Sequence, residues 1–332
     1  MSRPESAGLQ PLAERRQLRF PSGGTLRTPL LVPSFSSRVP EIEKVFGASS
    51  EFVDGPFLIS AYDVARGHLA PPFNFGGPIF LDSGGYEVGS DSDLSDVGSR
   101  PSGSPTDWTP EQHQNILDAW QERVPTVVIT YDHPKLRQNL SAQVAHAKSL
   151  RLPPGDCSLE LLIKPETTRN FIDIRSVVDG VRELAPFHVI GVTEKEIGNS
   201  VFDRMVNIAR LRMGLRRIGL ETPIHVFGSL DTITTLFYFV AGADIFDGLT
   251  WLRYAFKNGQ TVYRQDFGIR ELGISTKAPK VEALCWSKNY GYIREMELEM
   301  RRFLGGYDFG EFQFNGDLIK NAYRSVEEEV AE

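Results

Sequence analysis

Three aspartates in this chain each close an apolar, β-branched run: Asp82 in "PIFLDS", Asp132 in "TVVITYD" and Asp247 in "DIFDGLT". A strand that stays apolar almost to its end and then presents a carboxylate aims that acid at the rim of a parallel sheet, where such folds bind ligands. Two carboxylates facing one another suit displacement at the anomeric carbon of a sugar. One attacks as nucleophile, and the other moves protons to and from the leaving group. After Asp82 the chain continues Ser83-Gly84-Gly85-Tyr86. The glycines let the backbone approach a ligand or take positive φ, and Tyr86 offers a flat face to a planar group. The competing explanation is that each aspartate caps the helix after its strand, as βα loops often require. It accounts for one aspartate more easily than for three.

The elements that must position these acids are legible. Apolar runs recur as "TPLLVPS" from Thr28, "FLIS" from Phe57, "PIFLDS" from Pro78 and "TVVITYD" from Thr126. Four more follow: "LELLIKP" from Leu159, "HVIGV" from His188, "IHVFGS" from Ile224 and "DIFDGLT" from Asp244. Near-continuous apolar strands separated by helical patterns indicate a parallel sheet covered on both faces, and eight of them predict an α/β fold, the closed (β/α)8 TIM barrel. In such a ring the third and eighth strands lie nearly across the mouth, so Asp82 and Asp247 flank a substrate while Asp132 sits beside Asp82.

Thr109-Pro110-Glu111-Gln112 combines a capping Thr, a Pro at the first helical position and a Gln three residues after the cap, with Ile116, Leu117 and Trp120 on one face. "SLDTITTLFYFVAGAD" predicts a buried helix with Gly242 as its C-terminal cap, and "FKNGQTV" a hairpin turning on Asn-Gly. From about Val281 the pattern is helical. The Ser/Gly/Asp/Pro-rich stretch from Gly89 to Asp107 reads as a lid-like loop after strand three. The expected organisation is an N-terminal segment over 1–27, a catalytic barrel over 28–260 and a mostly helical extension over 261–332.

With 332 residues, 41% hydrophobic and 24% charged, the composition is that of a globular protein. No apolar run is long enough to span a membrane and the first residues lack the apolar middle of a signal peptide, so a cytoplasmic protein is expected. Cys157 and Cys285 stand far apart and in no CxxC spacing, so neither a disulfide framework nor a thiolate zinc site is read from the sequence. The net charge of -7 does not announce a nucleic-acid binder. Yet Trp251 to Arg302 carries ten Lys/Arg against six Asp/Glu, whereas Tyr86 to Asp118 carries seven acids and one Arg, so the C-terminal face is the basic one.

"FLDSGGYEV", "TPEQHQNILDAW", "TYDHP", "VFGSLDTITTLFYFVAGADIFDGLTWLR" and "NGQ", in this order, resemble the tRNA-guanine transglycosylase family and its DNA-modifying relatives, which replace guanine by a 7-deazaguanine. The resemblance runs from about Thr28 to Gln260. It implies Asp247 as nucleophile on C1′, Asp82 as general acid/base, and Asp132 as reader of the guanine-like edge. It further implies Tyr86 and Phe227 sandwiching the base, a pocket lined by Ser83, Gly84, Gly85, Gly191 and Val192, and Arg253 near phosphate or sugar. Lys257 and Arg264, in the basic segment, join Arg253 as backbone-binding candidates. Lys164 stands where the family offers a base-reading Gln. His133 reads as a loop residue.

The implied partners are DNA or tRNA, guanine or a 7-deazaguanine, companion modification proteins and a homodimer mate; no cofactor and no membrane are implied. Family members carry three cysteines and a histidine that bind zinc after the last strand. This chain has Cys285 alone there and no histidine beyond His225, which places DNA ahead of tRNA. A nucleoside hydrolase or base-removing glycosylase on the same barrel, and a non-catalytic nucleic-acid-binding subunit, are the competing expectations. Metal analysis of the purified protein is expected to find no stoichiometric zinc; one zinc per chain would contradict the reading of the C-terminal region.

Overall fold

The eight apolar runs form eight short strands that pair side by side, all in parallel. The computed structural model of the protein describes residues 12–73, 75–88, 108–132, 136–166 and 171–331. The strands are β1 (Leu30–Pro33), β2 (Phe57–Ser60), β3 (Ile79–Asp82), β4 (Thr126–Ile129), β5 (Cys157–Ile163), β6 (Val189–Thr193), β7 (Ile224–Phe227) and β8 (Ile245–Gly248). Each pairs with its sequence neighbour from β2 to β8, and β8 pairs with β1. The remaining seam, β1 to β2, is narrower: it is bridged at Ser34 and Leu58, where the Phe35 N–H donates to the Leu58 carbonyl at 2.9 Å. The result is a nearly closed, helix-covered barrel of the (β/α)8 type. The lid expected over residues 89–107 lies outside the described residues, as does His133.

Strand alternation sorts every residue to one of two cores. Leu30, Val32, Leu58, Phe80, Val127, Ile129, Leu162, Val189 and Ile245 point inward and fill the barrel. Leu31, Ile59, Leu81, Val128, Ile190, Val226 and Phe246 point outward and pack under the helices. One step further along the inward register stand Ser34, Asp82, Lys164, Gly191, Phe227 and Asp247. The tertiary contacts below are made among these.

The end opposite those residues is plugged. A hairpin, Gln17–Arg19 with Thr25–Arg27, inserts Leu18 and Phe20 into the inner core. Beneath it Asp244, 1% exposed, accepts from Arg16 at 3.0 Å, from Arg212, and from the Ile224 N–H at 2.8 Å. A carboxylate so enclosed is tolerated because each oxygen has a charged donor; removing one arginine would leave an uncompensated buried charge.

The helices start and stop where the local chemistry dictates. Thr109 and Gln112 form a reciprocal capping box ahead of the helix Pro110–Ala119. The helix Thr234–Val240 ends before Gly242, whose φ of +106° only glycine adopts cheaply. Asn258 and Gly259, both at positive φ, turn the hairpin of Ala255–Lys257 and Gln260–Val262. Beyond it, helices Arg264–Leu272, Ala278–Gly306 and Gly316–Ala331 complete the chain. The 29-residue helix Ala278–Gly306 buries Ile293, Met296, Met300 and Phe303 in the outer core and brings a Glu297 carboxyl oxygen to 3.4 Å from the Leu31 N–H. Among the described residues no helix is long and apolar enough to cross a membrane.

Leu18 is fully buried in the plug, so Leu18→Ala should destabilise the protein by about 2–5 kcal/mol, read by urea denaturation. A loss well under that range would mean that the hairpin does not unfold with the barrel.

Candidate active site

Asp82 ends β3 two residues after the inward-facing Phe80, so strand alternation delivers its carboxyl to the mouth. It is 8% exposed, and its Oδ2 accepts the Gly84 N–H at 3.1 Å. Burial, then the charge of Asp132, then that of Asp247 outweigh the hydrogen bonds from Gly84 and Ser83 and push its carboxyl up to about 7. An acid poised there holds a proton at neutrality and releases it readily, as general acid/base work requires.

The two glycines after it serve a different end from ligand access. Gly84 has φ +98°, and a Cβ on it would stand 2.4 Å from the Cβ of Tyr62. A Cβ on Gly85 would stand 2.1 Å from Asp132 Oδ1. The pair makes room for Tyr62 and for the Asp132 carboxylate.

Asp132 does not sit on a strand end as the apolar run suggests. β4 stops at Ile129, and Asp132 lies three residues on, in the following loop, where Ser83 Oγ donates to its Oδ1 at 2.5 Å. Lys164 Nζ stands 3.6 Å from Asp132 Oδ2 and 2.5 Å from Glu196 Oε2. Glu196 also accepts from Thr193 Oγ1 at 2.5 Å and from Arg137 at 3.1 Å. The Lys164 backbone is clamped at both its N–H and its carbonyl by the Gln143 amide, at 2.9 Å each. A cavity of about 120 Å³ opens here, lined among others by Thr130, Tyr131, Asp132, Arg137, Gln143 and Lys164. It reaches Asp132 but neither Asp82 nor Asp247.

Asp247, 6% exposed, enters from β8. Its Oδ2 accepts Ser34 Oγ at 2.7 Å, and its Oδ1 accepts the Gly228 N–H at 3.0 Å. His225 Nε2 stands 3.3 Å from Oδ1, an ion-pair contact outside hydrogen-bond alignment. The other ring nitrogen, Nδ1, is 2.8 Å from Glu160 Oε1, and both side chains are fully buried. Burial opposes charge on His225; Glu160 and Asp247 favour it and prevail, pushing the imidazole up to about 9. Burial likewise raises the Glu160 carboxyl, against the pull of His225.

Phe227 stacks on His225 at 3.9 Å between ring centres, so one of its faces is already covered. Gly191 lies against both Glu160 and Phe227: a Cβ there would stand 2.6 Å from Glu160 Oε1 and 2.7 Å from Phe227. Tyr86 carries the Arg38 guanidinium 4.7 Å above its ring and takes a hydrogen bond from Arg253 on its hydroxyl at 3.1 Å.

Three expected residues stand apart from this cluster. Val192, next to the inward Gly191, turns outward and packs under the helices, because neighbours on a strand face opposite sides. Lys257 pairs with Glu271 at 2.6 Å beside Phe267, and Arg264 donates to the Leu252 carbonyl and contacts Glu282 at 3.4 Å. Ser34, Glu160, His225 and Glu196 were not singled out by residue type. The usable signal was register: Glu160 and His225 are polar residues at inward positions of otherwise apolar strands.

The fold and site define a parallel α/β barrel with Asp82, Asp132 and Asp247 gathered near one mouth, Asp82 raised to about 7. No protein-family model matches the chain, and no curated protein does.

The Asp82 carboxyl titrates near 7 folded but near its ordinary 3.8 unfolded, so folding takes up a proton in between. Stability contributed by this group is therefore present below about pH 4 and lost as pH rises toward 7, by at most roughly 4 kcal/mol. Asp82→Asn should flatten that part of the stability-versus-pH curve in chemical denaturation. An unchanged slope would mean that Asp82 titrates normally.

Proposed function

We propose that the protein is a base-exchanging transglycosylase acting on nucleic acid, replacing guanine by a 7-deazaguanine in two displacements at one sugar carbon. The observation that carries it is the pairing of two unlike carboxyls at one end of the barrel. Asp247 is surrounded by donors, and Asp82 is pushed up to about 7 by burial and by its acidic neighbours.

In the first displacement an Asp247 oxygen attacks C1′ as the C1′–N9 bond breaks, and the protonated Asp82 gives its proton to the departing guanine. In the second, the entering base loses its ring proton to the Asp82 carboxylate while its nitrogen attacks C1′ and releases Asp247. Two inversions retain the original configuration. Asp132, oriented by Ser83 and Lys164, reads the N–H edge of the base; a carboxylate accepts from a ring N–H and an amine together. Arg253 and Tyr86 stand at the same rim to meet sugar or phosphate. The target base must leave its stack to reach two carboxylates, at a cost of about a few kcal/mol that backbone contacts offset.

DNA is favoured over tRNA because the C-terminal helices contain no thiolate and imidazole set for a zinc subdomain. The test is incubation with matched duplex DNA and tRNA, labelled guanine and candidate 7-deazaguanines, read by nucleoside mass spectrometry. Incorporation is the expected result. Base release without incorporation would assign hydrolysis instead, and no reaction on either polymer would assign a binding role. Asp247→Ala should abolish the trapped covalent adduct while leaving the fold and polymer affinity intact; an adduct that survives would remove Asp247 from its role.

A further inference from the structure

Below the rim of the barrel lies a second pair of titratable groups. β5 and β7 are largely apolar strands, yet they turn Glu160 and His225 inward against one another, one step above Ser158, which bonds the plug at the Arg19 carbonyl. Neither has any exposed surface, and Glu160 Oε2 has no hydrogen-bond partner among the described residues. An unpaired carboxylate in such a place costs several kcal/mol, so the charge state of Glu160 depends on His225. The charged groups facing the imidazole are Glu160 from β5 and Asp247 from β8; from β3 it meets the Phe80 ring, and along its own strand it stacks on Phe227.

That geometry constrains the protons. If Nδ1 donates to an ionised Glu160, a bare Nε2 would aim its lone pair at an Asp247 oxygen 3.3 Å away, acceptor against acceptor. With Asp247 ionised, as a nucleophile must be, two arrangements avoid the conflict: imidazolium with carboxylate, or neutral imidazole whose Nδ1 accepts from a protonated Glu160. Both place two protons on the pair, both leave it neutral overall, and both put an N–H on Nε2 facing Asp247.

We propose that the buried Glu160–His225 pair serves as a positioning device for Asp247, keeping a protonated Nε2 3.3 Å from its Oδ1 so that the charged form of the carboxylate is stabilised by a close ion-pair contact. The proposal rests on the reading of Asp247 as nucleophile. Oδ1 then faces the Gly228 N–H and the His225 Nε2, and Oδ2, which among the described residues accepts only from Ser34, is the oxygen that attacks C1′. A protonated nitrogen this close to the carboxylate favours the state in which Asp247 is an anion. It therefore assists the second displacement, where Asp247 leaves, more than the first, where it attacks.

The test compares the wild-type protein with His225→Gln, which retains a side-chain N–H, and with the double variant Glu160→Gln/His225→Phe. The double variant keeps a ring against Phe227 and leaves no buried charge unpaired. Trapped-adduct kinetics are followed across pH, with selective ¹⁵N-histidine NMR on the wild type and on Asp247→Asn. In the double variant the adduct should decay severalfold more slowly, the worth of a close charge contact on the departing carboxylate. Its formation should also fail at a higher pH than in the wild type, and His225→Gln should recover part of both effects. NMR should find Nε2 protonated at neutral pH, with a signal that moves in Asp247→Asn.

A pH profile that superimposes on the wild type after a uniform rate loss would overturn the proposal, leaving His225 a packing residue. A bare Nε2 at neutral pH would do the same. If the wild type forms no adduct on any polymer while Nε2 is protonated and responds to Asp247→Asn, the transglycosylase reading fails and the pair stands as a device acting on Asp247.

Discussion

A carboxylate shut away from water must find donors or keep its proton, and this barrel answers that constraint differently at its two ends. At the plugged end Asp244 is met by Arg16, Arg212 and a backbone N–H, so its charge is fully compensated. At the open end Asp82 has only backbone N–H groups of its own turn against burial and acidic neighbours, and its proton is held up to about pH 7. The first arrangement contributes a rigid anchor. The second leaves a group whose protonation changes near neutrality, which is of use to chemistry and costs stability.

The acids of the mouth differ chiefly in their donors. Asp247 draws on Ser34 and Gly228, with His225 close behind; Asp132 has Ser83 and, at longer range, Lys164; Asp82 has the backbone of its own turn. This gradient pushes similar side chains toward dissimilar behaviour, the condition under which a pair of carboxyls divides into acid and nucleophile. The same packing accounts for the glycines around the site. Gly85 and Gly191 are where the Asp132 carboxylate and the side chains of Glu160 and Phe227 leave no volume for a methyl group.

Much of the architecture was legible before any contact was known. All eight strands follow from their apolar runs, the Asn258-Gly259 turn from its dipeptide, and the helix Pro110–Ala119 from Thr109 and Gln112. Less was legible at the site. The apolar run ahead of Asp132 predicts a strand end, but the strand stops at Ile129 and Asp132 is a loop residue. Val192 was read as a pocket residue, but its parity on β6 turns it outward. Lys257 belongs to the basic segment by composition, yet its ammonium is engaged by Glu271.

The sequence by itself determined what depends on local backbone preference and on alternation: which segments are strands, where helices begin, and that Asp82 and Asp247 reach the rim. Only the tertiary structure decided which side chains meet across staves. Ser34 bonds Asp247 from 213 positions away, Glu160 meets His225 across 65, and Lys164 joins Asp132 to Glu196. Such contacts are set by the register of parallel strands around a closed ring. That register emerges from packing all eight strands together, so no single segment encodes it.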